Sequence, residues 1–189
     1  MSTKSSSSPS IVPALVGNFV FLGPLLWIQE LLQNILTRAV TGDWGWIYPR
    51  SSHVWWSFHT MPSWGTVAVV WYALNTQVLI PAIRRGDLGI IATSPSSNIT
   101  CRLIIMAAIG WVVEYLNGFV QEHSGSEGLQ VWPGSPLRYV TYGCYLWWIQ
   151  NGLTWFALNA GLVAAGKAIA LSDLSACTSN IRAKKRKLG

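Results

Sequence analysis

Long stretches without charge divide the chain into four apolar segments. No Asp, Glu, Lys or Arg occurs within residues 11–29, 51–83 or 139–166, and Glu114 is the only charge within residues 103–121. The hydrocarbon core of a membrane takes about 20 apolar residues in a helix. None of these segments has the continuous polar face that a helix of a soluble bundle carries. The pattern predicts an all-α, polytopic membrane protein with four transmembrane helices.

Composition agrees with this class. Hydrophobic residues make up 51% of the 189-residue chain and charged residues only 11%, whereas soluble domains carry about 25% charged residues. We expect five regions: a disordered cytosolic tail (1–10), a first transmembrane hairpin (11–83), a cytosolic loop (84–102), a second transmembrane hairpin (103–171) and a basic cytosolic tail (172–189).

Basic residues indicate the orientation. Arg84, Arg85, Arg102 and the Lys/Arg cluster at 182–187 flank the predicted spans, and cytosolic flanks carry this bias. Both termini are therefore predicted in the cytosol, and the loops at 39–56 and 122–138 face the lumen or the exterior. The formal net charge of +6 comes mostly from the C-terminal tail, which favours contact with anionic lipid headgroups and not with nucleic acid.

The C-terminus also carries a candidate address. Residues 185–189, KRKLG, resemble the K-x-K-x-x form of the dilysine signal for retrieval to the endoplasmic reticulum. An ordinary basic flank explains the same residues equally well. The prediction is an integral membrane protein of the endoplasmic reticulum, with a membrane-protein partner or a second copy of the chain as further possible partners.

One five-residue motif occurs twice. WYALN at 71–75 returns as WFALN at 155–159, 84 positions later, and the same offset pairs Trp27 with Trp111 and Glu30 with Glu114. The agreement predicts an internal repeat. Each copy is then one helical hairpin with its first helix leaving the cytosol, so the copies are parallel. A pseudo-two-fold axis would run along the membrane normal, with a shared site between the halves.

Two carboxyl groups inside predicted spans are the strongest functional signal. A buried carboxylate costs about 3 kcal/mol on insertion scales, so Glu30 and Glu114 need a reason to be there. Each precedes polar residues at helical spacing, and we expect both carboxyls to point inward, hydrogen-bonded to amides and protonated at neutral pH. The candidate catalytic residues are Glu114 and Glu30, with Glu114 preferred because it lies nearer the middle of its span. The candidate substrate-binding residues are Asn34, Asn75, Asn117, Asn159, Trp27, Trp71, Trp111 and Trp155.

A protonated carboxyl in an aromatic pocket is a proton donor, and indole faces stabilise cations. This combination favours a membrane-embedded enzyme that acts on an isoprenoid or other lipid by acid-initiated cyclisation or isomerisation. Proton-coupled or small-molecule transport and a non-catalytic scaffold remain alternatives, because glutamate–amide pairs also join helices. Other tryptophans are expected in an interfacial belt: Trp44, Trp46, Trp55, Trp56 and Trp132.

No cofactor or metal is expected. The histidines show no H-x-x-x-H or H-x-x-H-H pattern, and no phosphate-binding or G-x-S-x-G motif occurs. Three cysteines, Cys101, Cys144 and Cys177, have no metal-binding spacing.

The stretch GWVVEYLNGF at 110–119, followed by VWP at 131–133, resembles a family of small bacterial membrane proteins described as type IV ABC-transporter permeases, and its animal counterparts. That family has a glutamate in a similar aromatic setting, which implies that Glu114 is its counterpart. Where the family has an acidic residue after the loop tryptophan, this chain has Pro133. The W-x-x-E pattern also distantly resembles the W-E of membrane-bound terpene cyclases from fungal meroterpenoid pathways, which implies Glu30 or Glu114 as the acid.

Overall fold

The computed structural model describes residues 12–87 and 95–164, and within them it contains helices and two isolated β-bridges but no strand. Four helices form the fold: α1 (Val12–Thr41), α2 (Phe58–Arg85), α3 (Pro95–Ser124) and α4 (Cys144–Ala164). The predicted all-α class is confirmed. The two predicted tails, the retrieval sequence and Cys177 lie outside the described residues.

Helices α1 and α2 each contain a wide π-helical stretch, at Asn18–Leu22 and Leu74–Leu79. Each stretch comes just before a proline, Pro24 or Pro81. A proline inside a helix lacks the backbone N–H and clashes with the carbonyl four residues earlier, so the preceding turn widens.

Three of the helices are long and apolar enough to cross a membrane: α1, α2 and residues Asn98–Ser124 of α3. The fourth transmembrane helix stays a prediction. Helix α4 carries Gln150, Asn151 and Asn159, which lower its mean hydropathy, although its 21 residues are long enough to span.

The distribution of side chains also suits a membrane. Four asparagines, Asn18, Asn34, Asn75 and Asn159, are fully buried in the bundle, each at most 1% exposed. Large apolar side chains cover the outer surface instead, among them Phe19, Leu25, Leu32, Val112, Leu116 and Leu153. Polar groups at the interior and apolar groups outside are what a bundle surrounded by lipid requires.

Helix α1 packs against α2, and α3 packs against α4. The first pair approaches most closely at Gly23, where an added Cβ would lie 2.5 Å from the Cα of Gly65. The core between the pairs contains Leu26, Trp71, Tyr72, Met106 and Trp155.

The two loops on the predicted lumenal side pair with each other. Ile47 of the first loop and Val131 of the second exchange both backbone hydrogen bonds, at 2.8 and 2.9 Å. Because of this bridge the loops lie across the end of the bundle, and buried aromatic residues such as Tyr48 reach down between the helices.

At the other end of the bundle, part of the segment predicted as a cytosolic loop is helical. Helix α3 begins at Pro95, inside the segment predicted as the 84–102 loop. Arg102 is therefore a helical residue, 3% exposed, whose Nε donates to the Oδ1 of Asn75 at 2.6 Å. Arg84 and Arg85 are exposed, as flanking cations are.

Candidate active site

A cavity of about 210 Å³ lies between the helices beneath the paired loops. Both Glu30 of α1 and Glu114 of α3 line it. Six tryptophans are among the residues that line it: Trp46, Trp64, Trp71, Trp132, Trp147 and Trp148. The two acids singled out by the sequence therefore share one site.

Glu30 is buried, with 5% of its surface exposed. Its Oε2 accepts a hydrogen bond from the indole Nε1 of Trp64 at 2.5 Å, and its Oε1 accepts one from the hydroxyl of Tyr48. No amide among the described residues bonds Glu30, and the first loop supplies the Tyr48 hydroxyl instead.

Glu114 is half-buried and has more donors. Its Oε2 accepts from Trp148 Nε1 at 2.6 Å, and its Oε1 accepts from Trp132 Nε1 at 3.0 Å and from the amide of Gln130 at 3.1 Å. The thiol of Cys144 lies 3.7 Å from Oε2. The amide partner of Glu114 is thus a residue of the second loop, and not one of the helical amides that the spacing predicted.

Two donors of each acid occupy equivalent positions at the offset of 84. Trp64 and Trp148 donate to the two carboxyls from equivalent positions, and so do Tyr48 and Trp132. A second matched set holds the loops: Trp27 donates to the carbonyl of Ser57 and Trp111 to that of Thr141, both at 3.0 Å.

Neither acid has a cationic partner among the described residues. The ion pairs within 4 Å in that part of the chain join His59 to Glu127, Arg85 to Asp87 and Arg138 to Glu122, all outside the cavity. The carboxyls are held by neutral donors alone. No cation among the described residues compensates a negative charge on them.

Tyr48 acts as a fixed donor. Burial and the charge of the neighbouring Glu30 carboxyl raise the pKa of the Tyr48 phenol well above its usual range. Its hydroxyl therefore stays protonated at physiological pH and orients the Glu30 carboxyl.

Two of the predicted substrate-binding residues, Asn117 and Trp71, line the cavity. Three others hold the loops in place instead. Asn34 bonds the backbone of Gly45, Trp46 and Trp55, and the indoles of Trp27 and Trp111 donate to loop carbonyls. These residues shape the site from outside.

The remaining three predicted residues are buried and do not line the cavity, and their polar contacts form two groups. Asn159 accepts from the amide of Asn18 at 3.5 Å, and Trp155 donates to the Oδ1 of Asn18 at 2.9 Å. Asn75 accepts from Arg102 and donates to the carbonyl of Trp71 at 2.8 Å. The polar residues of the repeated motif thus join helices rather than line the cavity.

Sequence reasoning missed Tyr48 and placed Trp46 and Trp132 in an interfacial belt. The latter two are 2% and 8% exposed, and their rings lie 5.0 Å apart above the cavity. The signal was present in the repeat, because Tyr48 and Trp132 occupy equivalent aromatic positions beside a proline.

Among the described residues no cluster of His, Cys, Asp and Glu could hold a metal ion. No protein-family model, curated protein or solved structure matches the chain significantly.

Proposed function

We propose that this chain is a membrane-embedded enzyme that protonates an isoprenoid or other unsaturated lipid and so initiates its cyclisation or isomerisation. The observation that carries the proposal is the pairing of Glu30 and Glu114 in one tryptophan-walled cavity, each acid held by neutral donors. A proton donor and walls that stabilise a carbocation are the two requirements of this chemistry.

The proposed reaction begins at Glu114, the more exposed acid. Its carboxyl proton adds to one carbon of a substrate double bond, leaving a carbocation on the neighbouring carbon. Trp64, Trp71 and Trp148 line the cavity, and their indole faces would stabilise that cation. Loss of a proton from an adjacent carbon to a carboxylate forms a new double bond, directly or after ring closure. The indole donors of Trp148 and Trp132 stabilise the carboxylate while it lacks its proton.

We propose further that α4 also spans the membrane and that the two hairpins are copies related by a pseudo-two-fold axis along the membrane normal. Pairs of residues 84 positions apart that contact each other support this, because an axis passes through such pairs. They are Ile47 with Val131, Trp64 with Trp148 at a ring separation of 5.3 Å, and Trp71 with Trp155 at 6.1 Å. The site would then lie on the axis.

We also propose that both termini lie in the cytosol and that the protein resides in the membrane of the endoplasmic reticulum. The exposed Arg84 and Arg85 at the end of α2 support the orientation. Anionic lipid headgroups are the proposed contact of the basic C-terminal tail, and the distant resemblance of W-x-x-E to membrane-bound terpene cyclases favours an isoprenoid substrate.

The test replaces each acid by glutamine, which keeps size and hydrogen bonding but removes the transferable proton. Membranes containing the chain are incubated with linear isoprenoids, and new lipids are detected by mass spectrometry. We expect Glu114→Gln to lower product by about 10²- to 10⁴-fold, the usual contribution of a general acid. Asp43→Asn, at an exposed carboxyl of the first loop, is the matched control and should leave product unchanged.

The double variant Glu30→Gln, Glu114→Gln separates the alternatives. Full product formation by this variant would refute acid catalysis by these residues. Loss of a pH-dependent uptake into vesicles, with no product from the unaltered chain, would instead assign proton-coupled transport. Normal assembly of partner proteins by the double variant, with neither product nor uptake from the unaltered chain, would assign a scaffold.

A further inference from the structure

Hydrogen bonds between amide side chains join α1 to α4. Gln29 and Gln33 of α1 both donate to the Oδ1 of Asn151 at 2.8 Å, and Gln33 also donates to the Oε1 of Gln150 at 3.0 Å. We call these four residues the amide clamp. Gln33 and Asn151 are buried and form one wall of the cavity.

The equivalent positions between α3 and α2 carry different side chains. At the offset of 84, Gln29 and Gln33 correspond to Val113 and Asn117, and Gln150 and Asn151 correspond to Thr66 and Val67. All four of these counterparts line the cavity, and none of the hydrogen bonds of the clamp is repeated among them. Beside the acids, the α1–α4 side of the bundle is therefore joined by amide hydrogen bonds, whereas the α2–α3 side is not.

The cavity reaches the outer surface on this second side. Of the described residues that line it, the exposed ones are Thr66 and Val70 of α2 and Val113 of α3. Val70 and Val113 are 40% and 38% exposed. A residue that both lines a cavity and is exposed marks its opening, so the opening lies between α2 and α3.

Contacts at both ends limit this opening to the middle of the helices. Below it, the indole of Trp71 donates to the carbonyl of Met106 at 3.3 Å. Above it, His59 lies against the second loop, where its imidazole is 3.7 Å from the carboxylate of Glu127. The opening is a window in the side of the bundle, at the depth of the acids.

We propose that this window is a lateral portal through which the hydrocarbon chain of a lipid enters the cavity directly from the bilayer. Valines frame the window, and α2 and α3 are among the helices apolar enough to cross a membrane, so the surface outside it faces hydrocarbon. The occupant is therefore a hydrocarbon chain, which the proposed function identifies as an isoprenyl or similar unsaturated one. The portal also explains why Glu114 is half-buried while Glu30 is buried, since Glu114 follows Val113 at the opening.

This inference rests on the proposed function only for the identity of the occupant, and its test needs no turnover. The chain is reconstituted in phosphatidylcholine nanodiscs with a farnesol analogue that carries a diazirine and an alkyne. After irradiation, the labelled peptides are identified by mass spectrometry. We expect adducts on Glu114 and its neighbours to exceed those on Glu30, because the probe enters from the Glu114 side.

Two variants close the portal by different means. Val113→Trp fills the opening with a bulky side chain, and Val67→Asn with Val113→Gln copies the amide clamp onto the open side. Each should lower labelling of Glu114 by about tenfold or more, as expected when a pocket loses its access. Leu116→Trp, at a 54% exposed position on the outer surface of α3, is the matched control and should leave that labelling unchanged.

Unchanged labelling of Glu114 in a portal variant that still unfolds cooperatively would overturn the proposal, as would equal labelling of Glu30 and Glu114 in the unaltered chain. Should the tryptophan variant fail to fold, the clamp variant decides. Labelling that depends on the portal, without product from any isoprenoid, would leave the portal standing and remove the proposed enzyme. Product formation that depends on Glu114, together with labelling that does not depend on the portal residues, would support the proposed enzyme and overturn the portal.

Discussion

Gly110 offers the most direct test of how the acid site is held. A Cβ added at Gly110 would lie 2.3 Å from Cε3 of Trp148 and 2.6 Å from its Cδ2. Trp148 cannot easily move, because its ring already packs 5.3 Å from Trp64 and 5.7 Å from Trp71. Gly110→Ala should therefore push the indole away from Glu114 and break the 2.6 Å hydrogen bond.

The magnitude follows from two opposing effects. Alanine in place of a helical glycine stabilises the helix by about 1 kcal/mol. Overpacking of a filled interior costs about 1–3 kcal/mol, and occasionally more. Loss of the hydrogen bond to the Glu114 carboxyl destabilises the folded state by about 1 kcal/mol or more in addition. The free energy of unfolding should fall by about 1–3 kcal/mol, which for a chain of this size lowers the Tm by roughly 2–12 °C.

The assay is thermal unfolding in detergent, followed by tryptophan emission. Gly161→Ala is the matched control, because Gly161 also lies in a helix and a Cβ there would meet no atom within 4 Å. That variant should unfold at the same temperature as the unaltered chain or slightly above it. If Gly110→Ala proves as stable as Gly161→Ala, the close contact between Gly110 and Trp148 is not part of the folded protein.

Three shorter predictions concern packing and topology. Gly23→Ala places a Cβ against helix backbone instead of a side chain, so it should lower the Tm more than Gly110→Ala does, and the same unfolding assay checks this. The orientation can be tested in sealed microsomes with variants made in a Cys177→Ser background. An impermeant maleimide should label Asp87→Cys at once but Ser52→Cys only after detergent is added. The opposite order would reverse the proposed orientation. Asn98 begins an N-I-T sequon, yet it is 5% exposed on a helix and on the proposed cytosolic side, so we expect no glycan there, and a mobility shift on endoglycosidase treatment would contradict both arguments.

The sequence was sufficient for the all-α class and for singling out the two acids that line the cavity. Length, apolarity and the absence of charge are local properties of the chain, and they predicted helices that the structure contains. A carboxyl is costly in hydrocarbon wherever the chain folds, so Glu30 and Glu114 stood out before any contact was known. The prediction that both acids point inward needed only helical periodicity, and both line the cavity.

Tertiary structure decided which groups surround those acids. Tyr48 and Trp132 belong to loops, and they reach the carboxyls because those loops pack over the helices, with the bridge between Ile47 and Val131 among their contacts. A tryptophan near a helix end is also usual at the membrane interface, so its residue type alone could not distinguish a belt from a cavity wall.

The asparagines of the repeated motif failed to indicate the cavity for a related reason. A buried amide serves equally well to join helices, and helical spacing places it on a face without saying what lies opposite. The difference between the closed side and the open side likewise depends on Gln29 meeting Asn151 across two helices that are far apart in the sequence. Periodicity determines which face a residue occupies, whereas its partner is determined by how the helices and loops pack together.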